Sequence, residues 1–185
     1  QMKRTHDEEW LDANVPGSVL HDMIINGKIE NPYYRANEYQ TYELSKYDYE
    51  YKRSFFADEE ALKHDRIILR CEGLDTLCDV FINGVNVLKA ENMHRTYEVD
   101  IKKELVIGGN HIYVLIKSAT NFIDHMDKEL FNPRIPDDKP GIAHLRKALY
   151  AYGWDWGPTL GDMGIWRKIG IFGYDHGRID DVYVE

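Results

Sequence analysis

The sequence predicts an all-β domain, a sandwich or barrel of short strands. Two observations lead there. Short apolar or alternating runs recur at 47–56, 66–72, 76–82, 85–88, 97–101 and 111–117, with turn residues between them. Asn83-Gly84, set between two such runs, is a strong signal for a two-residue hairpin turn. Size agrees: 185 residues with 43% hydrophobics make about one domain with a real core.

Residues 1–15 are polar, with Trp10 and Leu11 as the first apolar anchors. Pro16-Gly17-Ser18 is a turn, and Ser18 can cap a short helix over 19–26 that Gly27 ends. Asn31-Pro32-Tyr33-Tyr34 is a loop. In the strand at 47–56, Tyr49, Tyr51, Arg53 and Phe55 alternate with Asp48, Glu50, Lys52 and Ser54. Gly73 breaks the strand at 66–72, and Gly108-Gly109-Asn110 is a turn before 111–117, whose Ile112, Val114 and Ile116 point one way. Beyond Ser118 the texture changes. Two helical candidates, 121–130 and 142–150, flank a loop marked by Pro133, Pro136 and Pro140. Strand character returns at 165–172 and again at 178–184. The segment 118–164 reads as one long insertion between two sheet strands, and such loops tend to carry function.

Within that insertion lies Tyr152-Gly153-Trp154-Asp155-Trp156-Gly157-Pro158. Three of the four tryptophans fall between 154 and 166, and one carboxylate sits between two indoles with glycines on either side. Pyranose C–H faces pack on indole, and a carboxylate accepts hydrogen bonds from hydroxyls, so this is a chemistry suited to sugar. The alternative is that these tryptophans only fill a core under a long loop.

The net charge of -9, from 32 acids against 23 bases, argues against nucleic acid or an anionic membrane as partner. No apolar run approaches the roughly 20 residues of a membrane span. The histidines form no metal motif; His94 and His111 could lie near each other, but surface histidine is the default reading. No cofactor or metal is expected, no phosphate loop or nucleophile elbow is present, and no two carboxylates stand out as a glycosidase pair. Cys71 and Cys78 are expected to be reduced and buried. Residues 1–9 lack the apolar segment of a signal peptide, which leads to an expectation of a cytoplasmic protein. Both ends look cut, as in a piece of something longer.

Several strings then carry a resemblance. They are Val15-Pro16-Gly17-Ser18-Val19, Asn31-Pro32-Tyr33-Tyr34 with Asn37-Glu38, and Tyr49-Glu50-Tyr51-Lys52-Arg53-Ser54-Phe55. Glu72-Gly73-Leu74-Asp75-Thr76, Phe81-Ile82-Asn83-Gly84 and Glu91-Asn92-Met93-His94 follow. Arg146-Lys147-Ala148 leads into the Trp154-Asp155-Trp156 string, and Gly164-Ile165-Trp166-Arg167 comes last. In this order they resemble the N-terminal domain of the β-mannosidases of glycoside hydrolase family 2, over roughly residues 10–175. The Trp154-to-Pro158 string with its Gly164-to-Arg167 follower is the specific part.

The resemblance implies a jelly-roll β-sandwich of the galactose-binding type, here as residues 1–175, with 176–185 starting the way to a next domain. It implies a following immunoglobulin-like domain and a (β/α)8 barrel of about 250 residues that holds both glutamates of a retaining mechanism. The partners are then a β-mannoside oligosaccharide or glycoside and those downstream domains. Trp154 and Asp155 become contacts to the terminal mannose, with Asn92 as a further candidate. Trp156, Arg146 and Lys147 become braces of the loop, and this chain alone is expected to be inactive. Tyr49, His94 and Ala148-Leu149 depart from the family's commoner residues, and the last puts a polar contact from position 149 in doubt. A stand-alone carbohydrate-binding module, and the same domain of a β-galactosidase or β-glucuronidase, remain as alternatives.

Overall fold

The computed structural model describes residues 1–130 and 139–185. Pro133 and Pro136 lie outside the described residues. In chain order the strands are β1 (Met2–Arg4), β2 (Tyr49–Ala57), β3 (Arg66–Cys71), β4 (Leu74–Asp75), β5 (Leu77–Ile82) and β6 (Val85–Ala90). They continue as β7 (Tyr97–Asp100), β8 (Gly108–Lys117), β9 (Tyr152–Trp154), β10 (Gly157–Thr159), β11 (Gly164–Ile165) and β12 (Ile169–Tyr174). Four short helices interrupt them: α1 (Val19–Ile25), α2 (Glu38–Leu44), α3 (Glu59–Lys63) and α4 (Ala119–Glu129).

Two antiparallel sheets form the sandwich. One has the order β1-β2-β8-β5-β6, the other β12-β3-β7. Tyr49 and Tyr51 of β2, Val80 and Ile82 of β5, and Val114 and Ile116 of β8 share one apolar core with Ile67 and Leu69 of β3. The period of two puts these residues on the inward face of each strand. Asn83 and Gly84 both take positive φ, 49° and 85°, and close the β5–β6 hairpin as a primed turn whose twist suits the strands. The expected turn at 108–110 is instead the start of β8, because Ala57, Phe56 and Phe55 of β2 extend far enough to pair with it.

Ser18 caps α1, its Oγ accepting from His21 N, and Ser118 caps α4 by accepting from Asn121 N at 3.0 Å. Two expectations fail. The segment 142–150 is no α-helix: it forms two single 3₁₀ turns, Ile142–His144 and Leu149–Ala151, with extended backbone between. That stretch is drawn out because Asn92 and Arg146 form a parallel bridge and Met93 N donates to Arg146 O at 3.0 Å. The segment 178–184 is no strand. It finds no pairing partner among the described residues, and Ile179, Val182 and Val184 stand in solvent.

The excursion between β8 and β12 has a small core of its own. Ala119, Ile123, Ile142, Leu145 and Tyr152 cluster there, separate from the sandwich interior. That cluster is the platform under the tryptophan motif.

Candidate functional site

The motif folds as a hairpin. Trp154 pairs with Gly157 and Thr159 with Tyr152, so Asp155 and Trp156 are the two residues of its turn. Gly153 makes this possible. Its φ is 104°, and a Cβ there would stand 2.7 Å from Thr159 Oγ1, so only glycine fits without strain.

Neighbours the sequence did not flag hold the hairpin at its base. Glu38, at the start of α2, accepts from Thr159 N at 3.3 Å. A buried hydroxyl relay runs from Tyr152 to Thr120 at 3.3 Å, on to Ser45 at 2.7 Å, and from Ser45 Oγ to Tyr42 O at 2.6 Å. Burial holds the Tyr152 phenol well above its ordinary range, so it serves as a neutral donor.

Lys147 is buried with its ammonium on Asp75 Oδ2 and on the carbonyl oxygen of Asp162. It thereby ties β4 of the framework to the loop between β10 and β11. Asp162 in turn accepts from Leu20 N and Met163 N, and desolvation pushes its carboxyl up.

The tip is open. Trp154 is 52% and Trp156 84% exposed, and Asp155 is exposed between them. Among the described residues neither indole is enclosed by a core. Trp156, expected to brace the loop by packing, is uncovered among the described residues. Arg146 has an exposed side chain, and its backbone carries the contacts to Asn92 and Met93. Asn92 is half-buried, with Oδ1 turned back to accept from His94 N at 2.9 Å. Beside the hairpin opens a cleft of about 520 Å³, walled by Trp154, Trp156, Tyr33 and Tyr150. Asp155 and Asn92 are not among its lining residues. Sequence reasoning passed over Tyr33, in the loop at 31–34, and Tyr150, at the end of the expected helix; only the fold brings them to one place.

His111 shares a hydrogen bond with Ser54 at 2.9 Å. Among the described residues no group of three or more His, Cys, Asp or Glu is placed to hold a metal ion. No described helix is long and apolar enough to cross a membrane.

Residues 1–167 match the family model described as "Glycosyl hydrolase 2 galactose-binding domain-like". The chain belongs to this family. The sandwich is thus the galactose-binding-like fold. A beta-D-mannosidase from Dictyoglomus thermophilum superposes with a TM-score of 0.94 at 33% identity, over 98% of this chain and 22% of that one. Beta-mannosidase B of Aspergillus niger is 32% identical over 96% of this chain and 21% of its own length. The Mus musculus beta-mannosidase is 29% identical over 92% of this chain and 20% of its own. An exo-chitosanase of Amycolatopsis orientalis, 18% identical at a TM-score of 0.66, shares the fold. The chain therefore spans about a fifth of the length of the curated relatives it matches.

Proposed function

We propose that this chain is the N-terminal sugar-binding domain of a retaining β-mannosidase that removes terminal non-reducing β-D-mannose. In this reading residues 1–175 are the domain and 176–185 begin the connection onward. The catalytic glutamates lie in a barrel beyond an immunoglobulin-like domain, and the protein acts in cytoplasmic carbohydrate metabolism. The domain supplies one wall of the terminal-sugar subsite. Asp155 holds sugar hydroxyls and Trp154 covers a ring face, with Asn92 near the rim. Trp156 meets the rest of the polypeptide, while Lys147 and the backbone of Arg146 keep the hairpin in place.

The observation that carries the reading is a carboxylate and two indoles held outward on a two-residue turn. Apolar faces left in water with a charged group among them mark a recognition surface rather than a packed one. The beta-mannosidase names of the relatives, across nearly all of this chain, supply the sugar.

The test is Asp155→Ala in the full-length protein. Loss of a substrate contact lowers kcat/KM on a β-mannoside by about 2–4 kcal/mol of transition-state binding. Unchanged kcat/KM overturns the reading. This chain alone is expected to turn over no chromogenic β-mannoside and to bind mannose weakly. Millimolar or tighter affinity for the free sugar would instead favour a stand-alone carbohydrate-binding module, and a panel of β-galactoside and β-glucuronide substrates decides between parent specificities.

A further inference from the structure

Strand β12 ends at Tyr174, and the residues after it stay bound to the corner between α3 and β3. There His64-Asp65 of one segment meets Asp175-His176 of the other. The ring of His64 lies so close on Gly173 that a Cβ at the glycine would collide with it. His64 Nδ1 is 2.8 Å from Asp175 Oδ2, and Asp65 N donates to Asp175 Oδ1 at 3.0 Å. In return Asp65 Oδ2 accepts from His176 N at 3.3 Å. Lys102 Nζ donates to the carbonyl oxygen of His64 at 2.5 Å, which ties this corner to the segment after β7. Arg178 completes the set: it donates to Glu98 of β7 at 2.5 Å and lies 5.1 Å from the centre of the Tyr174 ring.

Exposed polar pairs of this kind are individually weak. Here they fall on Asp175, His176 and Arg178 of one short segment, so a single loss of chain freedom serves them all. Two further signs show that the segment is held. His176 takes a φ of 63°, a left-handed backbone that is uncommon away from glycine and persists where neighbours fix it. The Asp65 N–H and the His64 ring hold the Asp175 carboxyl below its ordinary range. The grip then stops. From Ile179 on, the polar contacts among the described residues are local, Asp180 with Arg178 and Asp181 with Val182 N, and Ile179 is 83% exposed.

We propose that His64, Asp65 and Glu98 form a clasp on residues 173–178, which makes Arg178 the last fixed point of the domain and sets the direction in which the chain leaves it. The consequence for the hairpin rests on the reading of its tip as a sugar contact within a longer protein. A fixed exit keeps the onward polypeptide in one position relative to Asp155. A loose exit lets the two drift out of register, and only the fraction in register binds.

The experiment has two arms. In this chain, trypsin cleavage after Arg178 reports the clasp, because the bond is cut only when the segment around it opens. Asp175→Ala and Glu98→Ala each speed that cut about tenfold, while the bond after Arg70, inside β3, stays intact. Asp175→Asn, which can still accept from Asp65 N, recovers part of the protection. Equal rates in parent and variants overturn the clasp, and so does cutting after Arg70, which would mean that the sandwich opens as a whole. In the full-length protein the double variant Asp175→Ala, Glu98→Ala raises KM for a β-mannoside about threefold at unchanged kcat. An unchanged KM overturns the claim that the clasp sets the exit. Asp155→Ala in the same assay keeps the two claims apart. If it lowers kcat/KM while the double variant changes nothing, the hairpin reading stands and the clasp proposal falls. If neither moves, the hairpin reading falls as well.

Discussion

The ammonium of Lys147 lies 2.5 Å from Asp75 Oδ2, in a pair whose residues are only 4% and 8% exposed. Removing one member of such a pair leaves the other charge buried without compensation, at a cost of about 3–5 kcal/mol. Lys147→Met is expected to lower the unfolding free energy of this chain by about 3 kcal/mol in urea denaturation. Adding Asp75→Asn to it recovers part of the loss, because no orphan charge remains. A single variant with an unshifted midpoint contradicts this.

Gly153→Ala tests the hairpin's backbone. The added Cβ meets Thr159 Oγ1 and sits at a φ of 104°. The strain is about 1–3 kcal/mol, and it falls on the base of the turn that carries Asp155. The expected result is a lower melting temperature together with a fall in kcat/KM of the full-length protein. Melting unchanged from the parent would mean that the hairpin relaxes freely.

Asp22 predicts a pH dependence. Its carboxylate is fully buried in the sandwich, accepting from Asn14 N at 2.9 Å and from the Tyr51 hydroxyl at 3.2 Å. Burial raises its pKa above the ordinary 3.8. The folded state keeps the proton where the unfolded chain has released it. This group's contribution is therefore most favourable at low pH and declines as pH rises through the window above 3.8. Asp22→Asn removes that dependence. Its melting temperature relative to the parent becomes more negative as pH falls from about 7 to about 4. A difference that does not vary with pH refutes the assignment.

The thiols should be silent in the native state. Cys71 and Cys78 are free and buried, and burial pushes the Cys71 thiol up to about 12 and Cys78 higher than its ordinary value. A thiol reagent at neutral pH is expected to label neither until denaturant is added, then both. Labelling of the folded chain would show that the sandwich opens locally.

Most of the framework was legible because its strands alternate or run apolar at regular spacing. What escaped depended on distant partners. Residues 2–4 look like a polar lead-in, yet Met2, Lys3 and Arg4 pair with Tyr51, Glu50 and Tyr49 as an edge strand. Helix α2 buries only Thr41 and has no side-chain N-cap, so no apolar stripe announces it. The run 178–184 alternates convincingly, but a strand without a neighbour is only a pattern.

For the site, the sequence pointed to the Trp154-Asp155-Trp156 string from aromatic and carboxylate chemistry, and the hairpin displays those residues. Its register was not legible, since Asp155 and Trp156 lack the positive φ that typical hairpin pairs advertise. Nor were Glu38, Ser45 and Thr120, whose support crosses 121 residues in one case and 75 in another. Hydrogen bonds over such separations leave no local trace.

The separate little core of Ala119, Ile123, Ile142, Leu145 and Tyr152 predicts two zones of opening in the molecule. A cavity cut into it, as by Ile123→Ala, is expected to loosen the base of the hairpin while the strands of the sandwich keep their protection from hydrogen exchange. Equal loss of protection in both zones would show that the two interiors open as one.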